Sequence, residues 1–254
     1  MTVTNALSQA TTIVSNLTTG RPASVTDPLN RTTAYQYDSS ARLTRVTAPE
    51  GNYTAYTYDS RGNVTQTESV AKPGSGLPPI VTSASFDSTC ANPFKCNQPN
   101  STTDARGNVT DYTYDATHGG VLTVTAPAVG GVRPQTRYSY TLTNGEYQLT
   151  GISQCQTTSS CVGTADEAKT AIAYNPDGSV YWTQSGNGTG TLLATTTMAY
   201  DAIGNLRTVD GPLAGTADTV HIRYNAARQV TGTVSPDPDG AGALKHRAVR
   251  NTYD

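Results

Sequence analysis

The 254-residue sequence is poor in most of what a compact enzyme core is built from. It has 2 Phe, 1 Trp and 2 Met, only 35% of its residues are hydrophobic, and 14% are charged. Neither a dense apolar interior nor a charge-driven disordered chain fits those proportions. No apolar stretch approaches the roughly 20 residues that cross a bilayer, so this segment is expected to hold no membrane span. The formal net charge is −2 and there is no basic run, which argues against a phosphate-tracking surface and therefore against nucleic acid. Met1 to Gly20 has no basic stretch ahead of an apolar core, so it does not read as a secretory leader, and any export signal is expected outside this segment. There is no Gly-x-Ser-x-Gly elbow. Gly186-Asn-Gly-Thr-Gly190 lacks the lysine and the strand–helix setting of a phosphate loop, and reads as a flexible hairpin tip.

What the chain does have is tyrosine, 15 of them, with abundant threonine and with 23 Gly and 14 Pro as punctuation. Tyrosine buries a ring while its hydroxyl still finds a partner, and both it and threonine favour strands. The expectation is an all-β protein of many short strands.

Internal repetition organises these residues. A Tyr-Asp dipeptide stands at Tyr37-Asp38, Tyr58-Asp59, Tyr114-Asp115, Tyr200-Asp201 and Tyr253-Asp254, with worn copies at Phe86-Asp87, Tyr174-Asn175 and Tyr224-Asn225. Tyr140 holds the aromatic position without the acid. Gly51-Asn-Tyr-Thr-Ala-Tyr-Thr-Tyr-Asp59 and Gly107-Asn-Val-Thr-Asp-Tyr-Thr-Tyr-Asp115 are two copies of one pattern. In Tyr35/Tyr37, Tyr56/Tyr58, Tyr112/Tyr114 and Tyr138/Tyr140 the rings are two residues apart, which puts both on one face of a strand. Turn chemistry follows the dipeptide in Ser60-Arg-Gly-Asn63, Ala202-Ile-Gly-Asn205 and Pro176-Asp-Gly178, and then a second strand begins. Each repeat is thus a strand–turn–strand unit. Such a unit cannot bury its face alone, so neighbours are expected to stack into one long antiparallel sheet.

The pattern Gly-Asn-x-Thr-x-Tyr-x-Tyr-Asp-x-x-Gly-Asn-Val/Leu resembles the RHS/YD-repeat family of bacterial RHS proteins, insecticidal toxin-complex subunits and animal teneurins. It recurs from about Gly20 to Asp254, giving an expected array over 20–254 behind a degenerate repeat or linker over 1–19. The resemblance implies a long curved sheet that forms part of a spiralling β-shell, often closed around a C-terminal toxic domain. Because Arg250-Asn-Thr-Tyr-Asp254 is itself a repeat, and the family's conserved terminus with its self-cleavage site is not recognisable, the chain is expected to be shell wall with the cargo outside it.

The four cysteines form two like-spaced pairs, Cys90/Cys96 and Cys155/Cys161, each among turn-formers. A local disulfide in each loop is the preferred reading, contributing about 2 kcal/mol by chain entropy and implying an oxidising compartment. A four-thiolate zinc site is the alternative, but it lacks Cys-x-x-Cys spacing. His118, His221 and His246 share no motif, and nothing local offers a nucleophile. Asp237-Pro-Asp-Gly240 lacks the other ligands of a calcium loop and reads as a turn. The sequons at Asn52, Asn63 and Asn108 follow from the repeat itself. No catalytic residue, metal or cofactor is expected. The tyrosine rows have two readings: rings packed against neighbouring repeats, or a surface for sugars.

The leading function is therefore non-enzymatic: a wall segment of an RHS-type shell in a secreted or cell-surface bacterial protein of the polymorphic-toxin kind. Its partners would be the remaining repeats and a C-terminal cargo domain of the same polypeptide. The alternative is a carbohydrate-binding or adhesion module that contacts cell-surface glycans.

Overall fold

The structure, a computed structural model, describes residues 1–158, 160–191, 193–239 and 242–253. Asp254 of the last dipeptide, Ser159 of the second cysteine loop and Gly240 of the Asp-Pro-Asp-Gly turn lie outside the described residues. The chain divides into two units, Met1–Gly120 and Val121–Asp254. Each unit carries ten strands, from Thr2–Thr4 to Val109–Tyr114 in the first and from Val121–Thr125 to Ala248–Arg250 in the second. Among the described residues there is no helix.

Within each unit every strand pairs antiparallel with the strand before and the strand after it, as a meander. Thr2–Thr4 has Ala10–Ser15 as its one strand partner among the described residues, and Ala248–Arg250 has Val230–Val234. Those outer strands leave open edges. Within each unit strands touch only their sheet neighbours, so neither unit has a second layer.

A single layer has a measurable consequence. The chain exposes 15,986 Å², whereas a globular protein of its mass exposes about 10,700 Å² by the usual scaling. Among the described residues the only apolar side chains that are buried are Cys96, Cys155 and Cys161. Most strand side chains are half-buried, each covered by its cross-strand neighbours alone.

The turns explain the register. Asp59-Ser-Arg-Gly-Asn63 closes with Asp59 N–H donating to the Asn63 carbonyl and Gly62 N–H to the Asp59 carbonyl. Its fourth position is left-handed, with Gly62 at φ 93°, which glycine adopts without steric cost. Ala41 and Arg228 hold the same position at φ 57° and 63°, a conformation that costs an L-residue about 1 kcal/mol. Where a tyrosine immediately precedes such a turn, as at Tyr37, Tyr58, Tyr200 and Tyr224, the ladder slips by one residue, whereas the turns at Asp27 and Asp104 close without a slip. Tyr58 faces Val64 while Thr57 faces Gln66, and the same irregularity recurs at Tyr37, Tyr140, Tyr174, Tyr200 and Tyr224. A repeated β-bulge of this kind bends the strand and re-aims its side chains.

Candidate functional site

The bulge prepares a bond between repeats. The tyrosine at the dipeptide position, the second of a pair where two are present, donates its hydroxyl to a backbone carbonyl in the repeat before it. Tyr37 reaches Pro22 at 2.9 Å, Tyr58 Leu43 at 2.6 Å, Tyr114 Pro99 at 2.8 Å and Tyr140 Val121 at 3.1 Å. Tyr174 reaches Leu149 at 2.8 Å, Tyr200 Val180 at 3.0 Å, Tyr224 Leu206 at 3.0 Å and Tyr253 Val230 at 2.8 Å. The acceptor is repeatedly the residue opposite the preceding repeat's own bulge tyrosine: Leu43 opposite Tyr37, Leu149 opposite Tyr140, Val180 opposite Tyr174, Leu206 opposite Tyr200 and Val230 opposite Tyr224. Within each unit, then, a ladder of hydroxyl bonds runs across the strands. Phe86 has no hydroxyl to give, and among the described residues no tyrosine hydroxyl reaches the carbonyl of Val64.

Burial raises the phenol pKa of Tyr58, Tyr114 and Tyr140, and the tyrosine two residues earlier adds to the rise. The first tyrosine of each pair does something else. Tyr112 stacks on Tyr114 with ring centroids 6.5 Å apart, and Tyr112 shares a hydrogen bond with Thr102 at 3.2 Å.

The aspartate of the dipeptide is a turn clamp. Asp59 Oδ1 accepts the N–H groups of Arg61 and Asn63, both at 2.9 Å, while Asn63 Nδ2 donates to its other oxygen at 2.8 Å. Asp201 repeats this with Ile203 and Asn205, and Asp38 does so with Ser40 and Arg42. Asp115 clamps a longer turn through Thr117 and His118. The carboxyl pKa values fall accordingly. The N–H four residues on is the largest cause for Asp38 and Asp201. For Asp59 burial acts most strongly and in the raising direction, but the Asn63 and Arg61 hydrogen bonds together outweigh it. The same clamp occurs where no tyrosine precedes it, at Asp27 and Asp104.

The cysteines pair as Cys90–Cys96 and Cys155–Cys161, leaving no free thiol. The first loop joins strands Ile80–Ser85 and Ser101–Thr103 and is held by its neighbours. Arg61 donates to the carbonyls of Asp87 and Ser88, Asn92 to that of Ala116, and Gln98 to those of Phe94 and Gly119. Tyr114 adds its bond to Pro99. Gly119 comes so close that a Cβ there would stand 2.5 Å from the Phe94 carbonyl oxygen.

The second loop, between Glu146–Cys155 and Glu167–Tyr174, is held from within. Glu167, 3% exposed, accepts from the Ser153 hydroxyl and from Gly163 N–H at 2.8 Å. The Ser153 hydroxyl, its largest influence, keeps its pKa below the ordinary carboxylate value against the cost of burial. Asp166 gathers the N–H and hydroxyl groups of Thr157 and Thr158. Arg137 lies 3.3 Å from Cys155 Sγ. Cys155, Cys161 and Asp166 have ligand atoms close enough for a metal, but both sulfurs are spent in the disulfide and offer no thiolate.

Other sequence candidates do not converge on chemistry. His118 Nδ1 accepts from Gly120 N–H, His246 meets the Ser235 carbonyl, and His221 lies on an exposed strand position. Asn63 and Asn108 spend their amides on the turn aspartates, and Asp239 ties its own turn to Asp237 and Leu244. Gly186–Gly190 runs from the end of strand Val180–Asn187 into the hairpin turn before Leu193–Tyr200, as expected of a hairpin tip, and a Cβ at Gly188 would stand 2.2 Å from Glu167 Oε2. The glycine is there because the buried carboxylate needs the space.

Comparison with known proteins agrees with this geometry. The RHS Repeat family model matches residues 18–51 and 42–71. No curated protein matches the chain. The crystal structure of TcdB2-TccC3-Cdc42 matches all of the chain with a TM-score of 0.60 at 15% identity. TcdB2-TccC3 without its hypervariable C-terminal region matches 93% of it, with a TM-score of 0.58 at 14% identity. The Photorhabdus luminescens Tc holotoxin pore matches 94%, with a TM-score of 0.59 at 11% identity. The chain spans 15%, 13% and 14% of the lengths of these three chains. The repeats are RHS repeats over residues 18–71, and the fold is all-β and shared with these toxin-complex chains.

Proposed function

We propose that this chain, whose strands carry RHS repeats, is a non-enzymatic wall segment of an RHS-type β-shell that encloses and helps deliver a C-terminal toxin or effector domain of the same polypeptide. The observation that carries the reading is the single-layer meander, linked repeat to repeat by tyrosine hydroxyls. A layer that leaves 15,986 Å² exposed has two faces and two open edges to cover, and further repeats and an enclosed cargo would cover them. Encapsulation asks for no covalent chemistry, and the clamps and ladder bonds are spent on holding the wall. Repeat-defining roles go to Tyr37, Asp38, Tyr58, Asp59, Tyr114, Asp115, Tyr200, Asp201, Tyr253 and Asp254. Residues 20–254 are the array, and 1–19 is a degenerate repeat rather than a linker, a reading supported by the antiparallel pairing of Ala10–Ser15 with Pro22–Thr26, which has the one-residue slip at Ser15. Disulfides at Cys90/Cys96 and Cys155/Cys161 fit export to an oxidising, secreted or surface location.

A second reading, a carbohydrate-binding module, draws on one observation. Tyr181, half exposed, lies with Tyr200, Asn175, Asp177 and Asp201 around an open hollow of about 440 Å³, and an aromatic ring beside carboxylates and an amide suits a sugar. Sedimentation velocity and glycan retention of the isolated chain separate the two readings. The wall reading expects association that grows with concentration, through the open edges, and no retention on glycan surfaces. A stable monomer held by a saccharide at micromolar concentration overturns it in favour of the second.

A further inference from the structure

Each strand has two faces, and the register assigns every paired side chain to one of them. In the first unit Tyr35, Val46, Thr54, Ser69 and Ile80 form a row across neighbouring strands. One residue along the same strands, Gln36, Arg45, Ala55, Glu68 and Val81 form the row behind it. In the second unit Tyr138, Ile152, Thr170, Ser185 and Ala194 make the front row, with Arg137, Ser153, Lys169, Gly186 and Leu193 behind. Asp111, Glu146, Glu167, Asp210, Arg223 and Arg250 also pair on the side away from the tyrosines. Arg207, the extra residue of a bulge, lines a hollow with His221 and Arg223 of that side. Among the described residues, then, no strand of either unit puts a charge on its tyrosine face.

The clamp aspartates stand in the turns, and the ladder consumes the tyrosine hydroxyls, so this face meets its surroundings with rings, aliphatic groups, threonine and serine. Each unit has ten strands. At a spacing of about 4.8 Å and a length of about 17 Å, they give roughly 800 Å² of such surface per unit. A soluble chain leaves apolar patches of only a few hundred Å² in water, and charge is what keeps an outer surface soluble. The face with arginine, lysine, glutamate and aspartate suits bulk solution. The uncharged one does not.

We infer that the tyrosine face is the inner face of the wall, and that it touches the enclosed C-terminal domain of the same polypeptide through apolar and uncharged polar groups. The inference rests on the shell reading and adds to it which side of the sheet is inside. The chains that share this fold are long enough to supply such a cover, this chain spanning 15%, 13% and 14% of three of them. A second copy laid on the same face is a poorer occupant. Two such sheets packed together would dry the hydroxyls of Thr54, Thr67 and Ser69, which have no side-chain partner among the described residues, and burying an unpaired hydroxyl opposes packing. A domain held in a wet chamber leaves them hydrated.

The test uses the complete polypeptide with its adjoining segments and reads the accessibility of one introduced thiol at a time, since the four cysteines of this chain are paired. Thr82→Cys and Ala194→Cys stand on the tyrosine face, and Ser83→Cys and Leu193→Cys beside them on the other. All four positions are exposed in this chain. Circular dichroism secures that the variants are folded, and the unsubstituted polypeptide gives the background. A bulky maleimide-polyethylene glycol should label Ser83→Cys and Leu193→Cys and fail to label Thr82→Cys and Ala194→Cys until mild denaturant opens the wall. In the isolated 254-residue chain all four should react alike. Protection of Ser83→Cys and Leu193→Cys instead would overturn the assignment. Equal labelling of all four in the complete polypeptide, with its adjoining segment still resistant to protease, would overturn the assignment and leave the shell reading standing. Equal labelling with that segment cut would remove both. Protection of Thr82→Cys in the isolated chain that grows with concentration would give the face to a second copy and overturn the cargo contact.

Discussion

The two cysteine loops share a sequence separation of 6 between their paired residues and the same kind of bond, yet they are held in place in opposite ways. The loop at Cys90–Cys96 projects where the Tyr-Asp turns project, and it is fixed by side chains and glycine contacts from those turns: Arg61, Tyr114, Ala116 and Gly119. Its disulfide is half in solvent, with Cys90 exposed and Cys96 buried. The loop at Cys155–Cys161 leaves the sheet at the opposite strand ends from its unit's Tyr-Asp turns and has no tyrosine to lean on. It carries its own anchor, a buried glutamate and a threonine-bound aspartate, and both its sulfurs are fully withdrawn. An insertion on the tyrosine side inherits the ladder as scaffolding. One on the other side must bring its own.

That contrast can be broken at several points. The largest effect is expected at Gly119, whose positive φ and close approach to the Phe94 carbonyl make Gly119→Ala destabilising by about 3 kcal/mol. Gly188→Ala, which crowds Glu167 without a left-handed backbone, should cost about 2 kcal/mol. Urea unfolding midpoints measure both, and a silent Gly188→Ala would show that the second loop does not depend on its carboxylate. Next come the disulfides. Chain entropy assigns each about 2 kcal/mol, so replacing Cys90 and Cys96 by alanine should cost near that figure. The Cys155/Cys161 pair should cost more, because its cavity is buried beneath Arg137. Under native conditions dithiothreitol followed by alkylation and mass spectrometry should find Cys90–Cys96 reduced first.

Tyr114→Phe removes one net hydrogen bond of about 1 kcal/mol and should speed amide exchange in the first loop while leaving the second unchanged. Acid gives the mildest discrimination. The Ser153 hydroxyl lowers the pKa of Glu167, and the Thr157 and Thr158 hydroxyls lower that of Asp166, from ordinary values of 4.5 and 3.8. Groups with lowered folded pKa contribute stability that is complete above those values and is lost as pH falls through the lower, folded ones. In the first loop Asp87 is lowered in the same sense, by Asn100 and then Lys95. The second loop, with two such carboxylates, should therefore loosen more steeply below about pH 4, as followed by amide exchange.

The strands, the clamp turns and the cysteine pairing were legible because each is written in local chemistry: period-two tyrosines, an Asp or Asn four residues before Asn, Arg or Gln, and turn-formers around like-spaced cysteines. The hydroxyl ladder was not, because its acceptors are backbone carbonyls at Pro22, Leu43 or Val180, which any residue supplies. One signal was nonetheless present. Three residues before the clamp the first ring gives way to Ile172, Met198 and Ile222, while the second stays tyrosine at Tyr174, Tyr200 and Tyr224. An aliphatic side chain can replace a ring that only packs, but not a hydroxyl that donates.

The central claim, that this chain is part of a wall around something else, is tested most directly by limited proteolysis of the complete polypeptide together with its adjoining segments. Fragments would be identified by mass spectrometry with the wall intact and with it opened by mild denaturant. The account predicts that a segment outside residues 1–254 resists protease while the repeats are folded and is cut once they open. A segment cut equally fast in both states, or repeats followed only by a surface anchor, would contradict the shell and favour adhesion.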